Sequence, residues 1–174
     1  MNLNTINEIA SELFFALKNQ ETIQPLSERY EEIDINDAYQ ISRKFLSLRV
    51  DKGETVIGKK IGVTSPVVQE MLGVNQPDFG FLTDKMFVKN KSNFLLKDSL
   101  IQPRAEAEIA FILKADIQGP GITKEDVILA TEKIVPCFEI VDSRIDDWKI
   151  KIQDTIADNA SCGIFVLGEG SCLP

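Results

Sequence analysis

Apolar residues recur with a helical period near the start of the chain and with the texture of strands further on. From Asn4, the positions Ile6, Ile9, Ala10, Leu13, Phe14 and Leu17 follow the i, i+3, i+4, i+7 rule, which predicts an amphipathic helix capped by Asn4 or Thr5. A proline-containing link, ETIQPLSERYEE, leads to Asp34. That residue can cap a second helix with Ala38, Ile41, Phe45 and Leu48 on its apolar face and Gly53 at its end.

Beyond Gly53 the pattern changes. TVIGKKIGVTS is β-branched and carries Gly58 and Gly62, reading as a strand whose backbone is closely approached. SPVVQEMLGVNQPDFGFLTDKMFV predicts a short helix, a turn-rich loop and a strand. LIQPRAEAEIAFIL predicts a buried strand that begins near Pro103, where a missing N–H is tolerated. GPGITKED starts a further helix, with Thr123 as cap and Asp126 in the capping-box position, running to about Lys133. IVPCFEIVDSRI and SCGIFVLGEG read as two more strands, separated by a polar, Trp148-containing loop with a helical turn. Helices followed mainly by strands predict an α+β fold. The expected division is a helical region over 1–53 and a β-rich region over 54–174, within one continuous domain.

Composition narrows the function. The 174 residues are enough to bury about 70% of the unfolded surface. A net charge of −8 argues against nucleic acid or an anionic membrane as partner. No apolar run approaches a membrane span and no signal sequence precedes the first helix, so the expected location is the cytoplasm. Cys137, Cys162 and Cys172 have no CxxC spacing and read as reduced thiols. Histidine is absent, so chemistry must use carboxylates, Lys, Tyr, Ser or Cys. Neither GxGxxG nor a Walker loop is present.

Within a strand, Glu106 and Glu108 project to one face with Ala110 and Ile112. Buried unpaired carboxylates are costly, which points to a cation, although two surface glutamates would read the local pattern equally well. Glu139 also stands alone among apolar strand residues. Three carboxylates without His or Cys ligands make an oxygen site suited to Mg²⁺ or Mn²⁺. Lys59 and Lys60 point to opposite faces, so one of them faces inward. Buried near a metal, Lys60 can have a lowered pKa and carry a proton or neutralise a substrate carboxylate; an exposed strand lysine is the commoner reading. Asp78 reads first as a turn residue, and turn chemistry accounts for Asn159 and Ser161 as well. Cys162 lacks a histidine to activate it as a nucleophile.

VIGKKIGVTS, VNQPDFGFLTD, LIQPRAEAEIAFIL and PCFEIVDSRIDDWKIKIQDTIADNASCG together resemble the 2-oxopent-4-enoate hydratases of aromatic meta-cleavage pathways, members of the fumarylacetoacetate hydrolase superfamily. The resemblance runs from about Asn4 to Gly168. It implies a β-roll after the N-terminal helices, here incomplete at the C-terminus because members of the family continue further. It also implies metal-dependent addition of water to 2-hydroxypenta-2,4-dienoate, giving 4-hydroxy-2-oxopentanoate. By motif, Glu106, Glu108 and Glu139 match the metal ligands, Lys60 and Asp78 the catalytic pair, and Ser161 a substrate hydrogen-bonder.

Two other readings accompany this one. The related 2-oxo-3-hexenedioate (4-oxalocrotonate) decarboxylase resembles the hydratase in its metal site, and a shortened chain could serve as a non-catalytic partner subunit. The resemblance further implies a homo-oligomer, or a complex with the pathway decarboxylase or aldolase.

Overall fold

Asn2, not Asn4 or Thr5, caps the first helix: its side chain accepts from the Thr5 N–H at 3.0 Å, and α1 spans Leu3–Asn19. The apolar period marks the buried face correctly but says little about the exposed first turn, where any short polar side chain could serve. The structure, a computed structural model, describes all residues from Met1 to Pro174. The link after α1 contains a short helix, α2 (Leu26–Arg29). Helix α3 (Ile35–Val50) begins at Asp34 as expected. Asp34 accepts from the Asp37 N–H, and the Asp37 carboxylate accepts from the Asp34 N–H in return. The helix ends at Val50, ahead of Gly53, which turns the chain at a φ of 93°.

Strand β1 (Val56–Gly62) pairs antiparallel with β2 (Asp78–Thr83), and α4 (Pro66–Leu72) lies between them in sequence. Ser65 caps α4, Pro66 occupies its first turn and Gly73 closes it in the left-handed region. A second sheet has the order β3–β4–β5, formed by Arg104–Leu113, Thr131–Val141 and Cys162–Leu167, all antiparallel. Helix α5 (Lys124–Ala130) carries the expected Thr123–Asp126 capping box. It stops at Ala130 rather than near Lys133, because Thr131 to Lys133 already belong to β4 and pair with the end of β3. Helix α6 (Ile152–Ala157) completes the α+β fold in what reads locally as a polar loop.

The main apolar core is helical. Ile6, Ile9, Ala10 and Leu13 of α1 meet Ala38, Ile41 and Phe45 of α3, together with Ile152, Ile156 and Ala157 of α6. Burying a large aliphatic side chain contributes about 1.5–3 kcal/mol, so this cluster is the firm platform on which the segment after α6 rests. No helix is long and apolar enough to cross a membrane.

Strand β3 departs from expectation. It is an edge strand of its sheet, and nearly all its residues, Glu106 and Glu108 included, are exposed. Its apolar run signals strand propensity. Burial on its two faces depends on neighbours that a run of residue types does not specify.

Candidate metal centre

Antiparallel register sets the three acids together. Glu106 lies directly opposite Glu139, and Glu108 lies opposite Cys137 on the same face of the β3–β4 pair. One carboxylate oxygen from each of Glu106, Glu108 and Glu139 falls within 4.8 Å of the others. Glu139 forms the floor at 5% exposure, whereas Glu106 and Glu108 rise from the open side. Like charges facing one another across strands repel, so this grouping carries more negative charge than the single cation beside Glu139, Lys60, offsets, and it favours a further cation.

Lys60 and Asp78 close the centre from the other sheet. Lys60 faces inward, with its Nζ 3.2 Å from Glu139 Oε2 and 3.3 Å from the Ala160 carbonyl. Lys59 faces the opposite way, over the rings of Phe79 and Phe81. Asp78 is not in a turn. It opens β2 opposite Gly62 and is only 3% exposed. Its turn-like flanking residues mislead because the pairing that makes it a strand residue comes from β1. Gly62 leaves room for the acid: a Cβ there would overlap Asp78 Oδ1, which would have to shift, and would stand 3.2 Å from Lys60 Nζ.

Electrostatics reflects this crowding. Burial alone would lower the Lys60 pKa, but Glu139, Cys162 and Asp78 together hold it above its ordinary value. This upward direction belongs to the centre without a metal ion, where three groups that are negative when ionised surround the ammonium. Burial raises the Glu139 carboxyl despite the opposing effects of Lys60 and Cys162. Burial likewise raises Asp78, opposed by Lys60 and the Gly62 N–H. Burial pushes the Cys162 thiol well up, which keeps it protonated and unreactive.

Glu139 Oε1 and Asp78 Oδ1 are buried side-chain oxygens without a hydrogen-bond partner. Orphaned buried acceptors are uncommon, and two in one small space need an external partner. The oxygen-only donor set and the free Glu139 Oε1 fit a hard divalent cation; the free Asp78 Oδ1 fits a proton or a substrate hydroxyl.

The turn behind Lys60 runs through Asn159, Ala160 and Ser161, all at positive φ. Asn159 accepts from the Phe81 N–H at 2.7 Å and donates to the Phe81 carbonyl at 2.9 Å, tying this turn to β2. Gly80 permits the close approach, since a Cβ there would overlap the Asn159 carbonyl. Ser161 is buried, and its hydroxyl shares a hydrogen bond with Thr155 at 3.1 Å. Arg144 and Asp158, which form a fully buried pair beneath the turn, escape a reading of local patterns. Their one sequence trace is the lone arginine in VDSRIDD, directly after an apolar strand.

No model of a known protein family matches the chain. Among curated proteins, it is 58% identical over 174 residues to a 2-hydroxypent-2,4-dienoate hydratase of Pseudomonas putida, covering 100% of this chain and 78% of that protein. It is 62% identical over 158 residues to a 2-hydroxyhexa-2,4-dienoate hydratase of Comamonas testosteroni, covering 90% of this chain and 60% of the relative. Among solved structures, the 4-oxalocrotonate decarboxylase from Pseudomonas putida G7, complexed with magnesium and adipate, superposes with a TM-score of 0.94 at 29% identity. That match covers 99% of this chain and 65% of the decarboxylase.

Proposed function

The chain belongs to the family of 2-hydroxypentadienoate (2-keto-4-pentenoate) hydratases, and from that membership we propose that it adds water to 2-hydroxypenta-2,4-dienoate, yielding 4-hydroxy-2-oxopentanoate. The observation that carries this reading is the buried Lys60–Glu139 pair beside the unpartnered Asp78 Oδ1. Hydration is favoured over decarboxylation by distance in sequence: the hydratase relatives stand at 58% and 62% identity, the decarboxylase at 29%.

Glu106, Glu108 and Glu139 would hold the divalent ion, Mg²⁺ or Mn²⁺, with magnesium in the decarboxylase structure supporting the choice of a hard cation. When bound, such an ion supplies Lewis-acid polarisation of the substrate's 2-oxygen. Lys60, kept as an ammonium by Glu139 and the Ala160 carbonyl, binds the anionic end of the dienoate. Asp78, whose raised pKa and free Oδ1 suit a proton carrier, takes the proton lost from the 2-hydroxyl and supports its return at C5. The resulting 2-oxo-3-enoate accepts water at C4, with a proton added at C3. Ser161, whose hydroxyl shares a hydrogen bond with Thr155 in the ligand-free chain, serves as a substrate hydrogen-bonder in this reading.

The β3–β4 face opposite the acids exposes Ile109, Phe111 and Phe138, which suits the expected self-association. The two sheets belong to a β-roll in this reading.

The direct test is turnover of freshly generated dienol by the purified chain. Activity lost in EDTA and regained with Mg²⁺ or Mn²⁺ is expected. A folded, metal-loaded sample without turnover would favour the non-catalytic partner reading instead, and full turnover in both Lys60→Ala and Asp78→Asn would sink the residue roles.

A further inference from the structure

Asn159, Ala160 and Ser161 stand in the left-handed region at φ values of 57°, 53° and 49°. None is glycine, and side chains with a Cβ enter this region only at a steric cost. Strained runs of this kind persist only where their surroundings over-determine them.

Arg144 grips both ends of the run. Its side chain is completely buried; Nη2 donates to the Asp158 carbonyl at 2.7 Å and Nη1 to the Cys162 carbonyl at 3.3 Å. Its Nε donates to the Asp158 carboxylate, which also accepts from the Arg144 backbone N–H at 2.9 Å. The Ser161 carbonyl in turn accepts from the Asp142 N–H at 2.7 Å. What the run presents outward is the Ala160 carbonyl to Lys60 and the Asn159 amide to Phe81 of β2.

We propose that Arg144 and Asp158 are positioning residues, a buried clamp that holds the left-handed turn so that it aims Lys60 and fixes β2 at the candidate centre. Neither reaches the substrate. A buried ion pair is a weak source of stability, since loss of hydration offsets most of its attraction. A guanidinium, however, presents several donors in a fixed fork, and only such a group can satisfy the carbonyls on both sides of the turn at once.

This proposal rests on the hydratase reading for its kinetic arm alone. In the full chain, Arg144→Lys keeps the charge but cannot span both carbonyls, and Asp158→Asn keeps the shape without the charge. Both are expected to unfold cooperatively while hydrogen exchange at the Phe81 amide rises about tenfold and the amides of α1 and α3 stay protected. Turnover is expected to fall about 100-fold in kcat, with KM changed by less than about twofold. Adding Ala160→Gly to Arg144→Lys lowers the cost of the left-handed turn and keeps the carbonyl, so part of the kcat and of the Phe81 protection should return. Folded variants with wild-type Phe81 exchange or wild-type kcat would overturn the proposal. So would failure of both variants to fold, which would make the pair a support of the whole fold. Should the parent chain itself lack hydratase turnover, the functional reading fails, and Phe81 exchange still decides the clamp.

Discussion

Lys60 is the residue on which the two sheets converge, with Glu139 on one side, the Ala160 carbonyl on another and Asp78 nearby. Replacing it with methionine keeps most of the volume but leaves Glu139 as a buried acid without its cation. We expect Lys60→Met to lower kcat by about 100-fold or more, read by steady-state dienol turnover. Gly62→Ala is expected to be nearly as damaging although it adds one methyl group, because the new Cβ would displace Asp78 Oδ1. A displacement approaching 1 Å in a reacting group costs about 100-fold in rate, whereas the helical core should unfold at nearly the parental temperature; wild-type turnover in Gly62→Ala would remove Asp78 from the proton path. Of these residues, Glu139 was legible in the sequence because a single acid in an apolar strand is conspicuous. Asp78 was legible only through the family motif and not from its local pattern, since only pairing with Gly62 distinguishes a strand end from a turn. Arg144 was invisible for a similar reason: its partners, Asp158 and the Cys162 carbonyl, lie well along the chain.

At the scale of elements, the β3–β4 register makes the centre, and a slip of one residue would turn Glu106 and Glu108 to the opposite face. Period-two spacing made their shared face legible, and the strands were found nearly where expected. Their exposure was not legible, because β3 pairs along one edge only and nothing in its own residues says so. This arrangement has a thermodynamic signature. Without metal, Glu106→Gln should stabilise the chain by a few tenths to about 1 kcal/mol by relieving repulsion across the ladder from Glu139. With Mg²⁺ at about 100 times its dissociation constant, the parent should gain about 2.7 kcal/mol and the variant much less. Thermal unfolding of both proteins with and without Mg²⁺ tests this pair of opposite signs; equal metal-induced shifts would mean that Glu106 is not a ligand.

Across the whole molecule, α1, α3 and α6 build the apolar platform, and the turn that follows α6 carries its rigidity to the sheets. The first two helices were legible from their apolar period. Helix α6 was legible only as a helical turn within a loop, because its short segment carries Gln153 and Asp154 among its apolar residues and it packs against α3, which local pattern does not show. Asp158 sits where platform and sheets join, and burial pushes its carboxyl up to about 6 from an ordinary 3.8, opposed by Arg144 and assisted by Asp142. At neutral pH it is therefore ionised against Arg144. A folded-state value above the unfolded one means that the folded chain binds the proton more tightly. This group's contribution to stability is then fully present below pH 3.8 and is lost as pH rises through about 6. Its full span is about 3 kcal/mol. Urea unfolding midpoints measured between pH 4 and pH 7 should accordingly show a component falling with pH that Asp158→Asn removes. Because Asp78 and Glu139 are also raised by burial, the variant should retain a shallower slope of the same sign. An identical slope in parent and variant would show that Asp158 titrates alike folded and unfolded, with Arg144 fully offsetting the effect of burial.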